Sequence, residues 1–400
     1  MHSPQLIWQH TDWPAFRCDG AAVAQAVALA RRAQGVVEGK LAAIGFSQRE
    51  QLTSDAWTQE AMSTSAIEGE RLDLLAVRSS VARRLQTTSS VASRAAKSPR
   101  HIEGLLDIMD DALTHSDQPL THDRLCAWQA ALFPTGYSGM RKIRVGAYRE
   151  HAEPMQIVSG ALGREKVHYE APASAAVPAE MTRFLRWFNN SLEAVEGVAN
   201  NSESLVQAAL AHLWFETVHP FEDGNGRVGR VVVDLVLARD AAKANGANQA
   251  SRLVRISQQL LAQRDAYYSE LEQAQHGGLD VTRWVVWFVS QIHAACQQAS
   301  AVIDVSLNKA RFWTAHADKD LSVRQRKVVN VLLDAATETE TDGRLGGFLG
   351  GMNTQKYASL TSTSRATASR ELIALAELGL LAATGGGRST RYHLNLQSVA

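Results

Sequence analysis

The sequence predicts a mainly α protein with one β-hairpin in its middle and a helix-then-strand order at its C-terminus. Three observations carry this prediction. From the tryptophan-bearing opening IWQHTDWPAF to about Pro99 the chain keeps an alanine-rich helical pattern. Two apolar sets recur at helical spacing further on, Leu205, Val206, Ala209, Leu210, Leu213 and Val218, then Val228, Val231, Val232, Leu235 and Val236. Between those regions only Met155 to Val158 and Val167 to Tyr169 read as strand arms, with Gly160 and Gly163 bracketing the turn. No internal repeat and no strand-rich stretch is found in the middle of the chain beyond that hairpin.

At 400 residues the chain has room for about two to four domains. A content of 45% hydrophobic and 20% charged residues is an ordinary soluble balance, and no apolar run approaches membrane-spanning length. The formal net charge is zero, so bulk electrostatics favours neither nucleic acid nor membrane as principal partner. The start MHSPQLIWQH lacks a charged and then apolar leader, and the cysteines are Cys18, Cys126 and Cys296 alone. A reducing cytoplasm is the expected location.

Within the first region, Thr64-Ser65-Ala66-Ile67-Glu68-Gly69 lies in a helix-compatible stretch that places Thr64 and Glu68 on one face. By itself it also reads as a solvated helix face closed by a C-terminal glycine. The small and polar run Ser89 to Ser98 is a plausible domain boundary.

The densest chemistry is in His219 to Arg230, HPFEDGNGRVGR, between the two apolar helices. A neutral imidazole at His219 can take a proton from a hydroxyl nucleophile. Asp223 is a hard oxygen ligand of the kind Mg²⁺ takes beside phosphate oxygens, whereas Glu222 is expected to face solvent. Gly224, Asn225 and Gly226 let the backbone approach a ligand and present N–H groups to phosphate. Arg227 and Arg230 share one face of the helix that follows, from Arg227 to Ala238, and their planar forks suit phosphate. His212, inside the preceding helix, reads as a core residue and is left out of the site.

These twelve positions resemble the signature of the Fic family, H-x-F-x-[DE]-G-N-G-R-x-x-R, with every specified position filled. Most Fic proteins transfer AMP from ATP to a protein hydroxyl. The resemblance implies that His219 deprotonates the target side chain, Asp223 holds Mg²⁺ across the α and β phosphates, and Gly224 to Gly226 stabilise developing charge. It further implies that Phe221 anchors the loop, Arg227 contacts the β phosphate and Arg230 the γ phosphate. Thr64, Glu68 and Gly69 are similar to the family's inhibitory motif [ST]-x-x-x-E-[GN], placed N-terminal to the core as in class II members. An ion pair between Glu68 and Arg230 would then deny that arginine to the γ phosphate.

The same resemblance makes the hairpin a flap beside the active site, to which a target adds as an extended strand, with Val167 and His168 near the nucleotide. Tyr267 and Tyr268 open the run YYSELEQAQ, which is similar to the family's adenine-binding segment; Gln275 stands where the family often has Asn. Taken alone, paired helical tyrosines are more often packing residues. The implied fold is mainly α: a Fic helical core with a β-hairpin flap, a helical N-terminal region and a C-terminal winged helix-turn-helix.

The expected domains are 1–99, helical and carrying the inhibitory motif; 100–301, the Fic catalytic core; and 321–400. The last has a helix with Val328, Val331 and Leu332, a glycine-rich connection, two short helices at Gln355 to Leu360 and Arg365 to Leu378, and strands at Leu380 to Ala383 and Thr390 to Leu394. That order resembles a winged helix-turn-helix domain, with Arg365 and Arg370 on the second short helix and Arg388 and Arg391 on the wing. Residues 320–400 hold nine Lys or Arg against seven Asp or Glu, far from a strongly basic face, so protein contact or dimerisation is as open as DNA binding.

Two function classes follow. One is an ATP- and Mg²⁺-dependent protein adenylyltransferase held down by Glu68, acting on a target protein that bears a hydroxyl side chain. The other is a nucleotide-sensing, DNA-binding regulator. Removal of AMP by the same site is the variant within the enzyme class.

Overall fold

The computed structural model describes residues 5–85, 99–159, 166–190, 203–245, 251–335 and 351–395. The expected boundary at Ser89 to Ser98, the hairpin turn with Gly160 and Gly163, and the glycine-rich connection before Met352 lie outside them. The chain divides into two compact units, residues 1–299 and 300–400.

The first unit is helical: α1 (Gly20–Ala42), α2 (Phe46–Ile67), α3 (Leu74–Arg84), α4 (Arg100–Thr114), α5 (His122–Leu132), α6 (Val177–Asn189), α7 (Glu203–Val218), α8 (Asn225–Asn245), α9 (Ile256–Ala262) and α10 (Arg264–Gln275). A long helix, α11 (Thr282–Ala315), begins in it. Asp19 caps α1 by accepting from the amides of Ala21 and Ala22. At the centre lie α7 and α8. From Leu205 to Val218 every residue of α7 is buried except Gln207, and Val228, Val231 to Val233 and Leu235 to Ala238 are buried along α8. Helices apolar on nearly every side belong inside, with others around them, and α2, α4 and α5 pack on α8 while α6 and α10 pack on α7.

The C-terminus of α2 positions the site. Ile67 is its last helical residue, Glu68 its cap, and Gly69 turns out at φ 79°. The amide of Gly69 donates to the Ala66 carbonyl (3.0 Å) and that of Glu70 to Ser65 (2.9 Å), a Schellman closure that needs the left-handed residue. The sharp reversal sets Glu68 and Glu70 on either side of that glycine.

Two hairpins accompany these helices. The expected one is β3 (Gln156–Ser159) paired antiparallel with β4 (Lys166–Glu170), with a register shift between Ile157 and Val158. The other was not foreseen: β1 (Tyr137–Ser138) pairs with β2 (Arg141–Lys142). Its strands are too short to show any alternation.

In the second unit, α12 (Val323–Ala335), α13 (Thr354–Thr361) and α14 (Arg365–Glu377) precede the antiparallel hairpin β5 (Leu381–Thr384) and β6 (Arg391–Leu394). Ser362 makes the turn after α13 at φ 51°, and Gly379 ends α14 at φ 79°. Val328, Val329, Leu332, Tyr357, Leu372 and Leu375 form its core together with Met352, whose backbone bridges Tyr392. Among the described residues no helix is long and apolar enough to cross a membrane.

Candidate active site

The loop 219–224 joins α7 to α8. The amide of His219 still donates to the Phe215 carbonyl (2.9 Å), after which the chain leaves at φ 49°, an unusual backbone for a side-chain-bearing residue. Arg149 holds it there. This buried guanidinium donates from Nε to the His219 carbonyl (2.8 Å) and from Nη2 to Val218 (3.2 Å) and Pro172 (2.5 Å), and its own amide donates to Pro220 (2.9 Å). Phe221 is fully buried, and Asn225 locks to it twice: Oδ1 accepts from the Phe221 amide (2.9 Å) and Nδ2 donates to its carbonyl (2.8 Å). The Asn225 side chain is thereby committed to closing the loop. Of the phosphate donors expected at this residue, the main-chain N–H is the one left after that commitment.

Burial pulls the His219 imidazole down to about 4, and the charge of Arg149 adds to the effect. The ring is therefore neutral at pH 7, as a proton acceptor must be. Its Nδ1 lies 3.6 Å from Glu216 Oε2, and burial followed by the charge of Glu68 pushes the Glu216 carboxyl up to about 8. His212 pairs through Nε2 with the Tyr267 hydroxyl (2.9 Å) and is pulled down to about 3, chiefly by burial. It is a core residue.

Gly224 takes φ 87°, and a Cβ there would stand 2.9 Å from the Phe133 ring, so both the turn and the packing demand glycine. The amides of Asn225, Gly226 and Arg227 open α8 and have no acceptor within the helix, which makes this end a seat for an anion. A carboxylate lies beside it. A Cβ at Gly226 would collide with Glu68 Oε1, so the Glu68 carboxylate lies directly against the loop glycine. Arg230, 2% exposed, donates from Nη2 to that same oxygen (2.6 Å) and to the Thr64 carbonyl (3.0 Å), and from Nε to Thr64 Oγ1 (2.8 Å). Burial works against the Arg230 charge, and the pairing with Glu68 outweighs it, so its pKa lies above the ordinary value. Arg227 sits over the Phe133 ring at 5.1 Å and donates from Nη1 to Glu70 Oε2 (2.9 Å).

Asp223 stands at the mouth of the loop. Its Oδ2 accepts from Ser138 Oγ (2.5 Å), its Oδ1 accepts from the Gly224 amide (2.6 Å), and Arg227 Nη2 is 3.9 Å away. Glu222, expected to face solvent, is partly buried and its carboxylate accepts from the Arg144 amide (3.3 Å).

On the flap, Val167 is exposed and His168 Nδ1 approaches Glu272 Oε2 of α10 at 3.3 Å. Tyr169 ties β4 to the end of α7 by donating to the Thr217 carbonyl (2.8 Å). The three adenine candidates separate. Tyr267 is 2% exposed and packs against His212 and Trp287, and Gln275 is buried as well. Tyr268 alone keeps an open face, and its hydroxyl donates to the Ile67 carbonyl (3.3 Å), at the foot of the segment that bears Glu68. Aromatic neighbours on α7 and α11 thus cover Tyr267, and Gln275 is enclosed with its Nε2 unpartnered.

Thr64, Glu68, Gly226 and Arg230 therefore meet at one point, with Asp223 and His219 on the loop and Arg227 in the first turn of α8. Arg149, Glu216, Glu70 and Ser138 are the site residues that sequence reasoning missed. Only Glu70 left a signal, a second carboxylate two residues after Glu68.

Residues 119–237 match the Fic/DOC family. Residues 6–87 match a domain of unknown function, DUF4172. A probable protein adenylyltransferase of Aquifex aeolicus is 26% identical over 113 residues, 28% of this chain and 28% of its own length. Together these findings support a Fic protein. A Fic family protein from Desulfovibrio desulfuricans G20 superposes with a TM-score of 0.51 at 19% identity over 98% of both chains, which shows the mainly helical Fic fold. A C. elegans Fic-1 fragment gives a TM-score of 0.48 at 17% identity over 71% of this chain and 74% of that one.

Proposed function

We propose that this Fic protein is an autoinhibited adenylyltransferase of class II, which transfers AMP from ATP to a Ser, Thr or Tyr hydroxyl of a target protein. The observation that carries the proposal is a buried arginine, suited to phosphate, that is already paired with a carboxylate. Arg230 holds the Glu68 carboxylate against Gly226 in the first turn of α8, in the site that also carries a neutral His219. A triphosphate presents more negative charge to the same donors, in a site where bidentate phosphate contacts are strong.

In the active arrangement Glu68 has left, Arg230 takes the γ phosphate, and Arg227 takes the β phosphate. The first amides of α8 face the oxygens that gain charge during displacement. His219 accepts the proton of the target hydroxyl, the hydroxyl oxygen bonds to the α phosphorus, and the bond to the bridging oxygen breaks to release pyrophosphate. Arg149 keeps the imidazole aimed by fixing the main chain around it. The exposed strand edge and Val167 of the flap receive the target as an extended segment, and Tyr268 is left to face the base.

Among the described residues no group of three or more His, Cys, Asp or Glu is gathered to hold a metal. A lone Asp223, oriented by Ser138, suits Mg²⁺, which takes one or two carboxylates and completes its shell with water and phosphate oxygens. When bound there, the ion would neutralise phosphate charge.

Mass spectrometry of Glu68→Gly protein incubated with ATP and Mg²⁺ tests the proposal. A mass gain of AMP on its own Ser, Thr or Tyr is expected, and a gain of phosphate would overturn it.

We further read residues 321–400 as a winged helix-turn-helix, with α14 as its second short helix. Arg365 and Arg370 are exposed on α14 and support DNA binding, whereas Arg324 is spent on Glu371 at 2.6 Å. A gel shift with the full chain decides between DNA and a protein partner, a second copy included.

A further inference from the structure

Glu68 is not the only carboxylate that the end of α2 delivers to α8. The turn at Gly69 brings Glu70 Oε2 to 2.9 Å from Arg227 Nη1, just as Glu68 Oε1 lies 2.6 Å from Arg230 Nη2. The two arginines are both buried. Arg230 is fixed by Thr64 through Nε and Nη2, and Arg227 is clamped over the Phe133 ring with its buried Nε unpartnered. The carboxylates are the freer members: the Glu68 side chain is 32% exposed and that of Glu70 is 44% exposed. A ligand anion that reaches Arg227 meets a site whose geometry is ready and whose charge is already answered.

We propose that Glu70 is a second gating residue, acting on Arg227 as Glu68 acts on Arg230, and that the pair divides selectivity for the polyphosphate between them. The division rests on the assignment above of Arg227 to the β phosphate and Arg230 to the γ phosphate. ADP and ATP both carry a β phosphate, so Glu70 weakens both. Only ATP carries a γ phosphate, so Glu68 discriminates against ATP alone. A chain with Glu68 removed is then only partly open, because Arg227 is still engaged. Glu70 also leaves more easily than Glu68, since it is more exposed and its pair is more strongly screened.

Calorimetric titration of ADP and ATP, each with Mg²⁺, into the full chain carrying His219→Ala separates the two gates without turnover. Four further variants in that background are compared: Glu70→Gln, Glu70→Asp, Glu68→Gly and the double change of Glu70→Gln with Glu68→Gly. Glu70→Gln is expected to tighten ADP and ATP by a similar factor, about fivefold for a half-exposed charged pair. Glu68→Gly should tighten ATP and leave ADP within about twofold, and the double variant should combine the two effects on ATP. Glu70→Asp, which keeps the charge and shortens the reach, should lie between wild type and Glu70→Gln.

Unchanged ADP affinity in Glu70→Gln, or a gain for ATP alone, overturns the inference. If ADP shifts as stated while the His219-bearing Glu68→Gly protein transfers no AMP, the gate stands and the transferase reading falls. Binding of neither nucleotide by any variant overturns both.

Discussion

Residues 219–230 and residues 64–70 face each other across Arg230, and they are held by different means. The first segment is fixed from every side: Phe221 in the core, Asn225 bonded twice to Phe221, Arg149 bonded to the main chain at Val218 and His219, and Arg230 almost wholly buried. The second is fixed up to Thr64 by burial in α2, and beyond Ile67 its hold is the helix closure at Gly69, two carboxylates and the Ile67 carbonyl, which accepts from Arg264 (3.1 Å) and Tyr268. Under the proposed autoinhibition, packing makes the machine part, and charge on a helix end makes the removable stop. A few charged contacts can be exchanged for a ligand of the same sign, whereas a core cannot.

The largest effect should come from the fixed segment. In the Glu68→Gly background, His219→Ala is expected to lower transfer of labelled AMP by at least about a hundredfold, within the range of general-base contributions. Because the imidazole stays neutral above about 4, the transfer rate should show no acid limb from His219 between pH 5.5 and 8. Transfer that survives the substitution would place the base elsewhere.

Next comes the removable segment. Glu68→Gly should raise automodification by about tenfold or more, a coupling of ordinary size between two sites. It should also lower the Tm of the nucleotide-free protein, because Arg230 is left buried with its charge uncompensated. ATP should restore the Tm by binding the folded state. Activation without a fall in Tm would mean that Glu68 inhibits by position and not by pairing.

A smaller effect belongs to the hairpin that orients Asp223. Ser138→Ala removes the hydroxyl donated to Oδ2, and Mn²⁺ binding in the presence of ADP, followed by electron paramagnetic resonance, should weaken about tenfold. Unaltered Mn²⁺ affinity would show that the Gly224 amide orients the carboxylate unaided.

This contrast also explains what was legible. The motif could be read because its chemistry is contiguous: imidazole, carboxylate, glycines and arginines follow each other in one loop and the start of one helix. Glu68 was legible through helical spacing from Thr64. Arg149 was not, because its function is made by main-chain carbonyls of residues far along the chain, and no sequence pattern encodes an acceptor that every residue carries. Ser138 sits on strands too short to alternate. Glu216 gave no signal of its own inside the apolar α7, and the similarity that marked Tyr267 and Gln275 did not reveal that both are buried. The short helices and strands of the second unit were readable in order, since Gly379 and the turn glycines punctuate them, with boundaries shifted by a residue or two.

The smallest expected effect tests whether the fixed segment also carries an electrostatic load. Glu216 is buried beside His219, and its carboxyl lies at about 8 when folded, well above an exposed glutamate. Its raised pKa means that the folded state holds a proton the unfolded state has lost, so stability is full below about pH 4.5 and falls as pH rises toward 8. His212 and His219 are shifted the other way, to about 3 and about 4, so their share is present above the ordinary histidine value and lost as pH falls. Between pH 6.5 and 8 Glu216 titrates without the histidines, while Asp234, also raised by burial, keeps its own slope in both proteins. Glu216→Gln should therefore flatten the decline of Tm over that window by a slope worth up to about 1.4 kcal/mol per pH unit. Parallel Tm curves for the two proteins would show that Glu216 is ionised in the fold, and that its carboxylate and Arg230 already neutralise each other beneath Glu68.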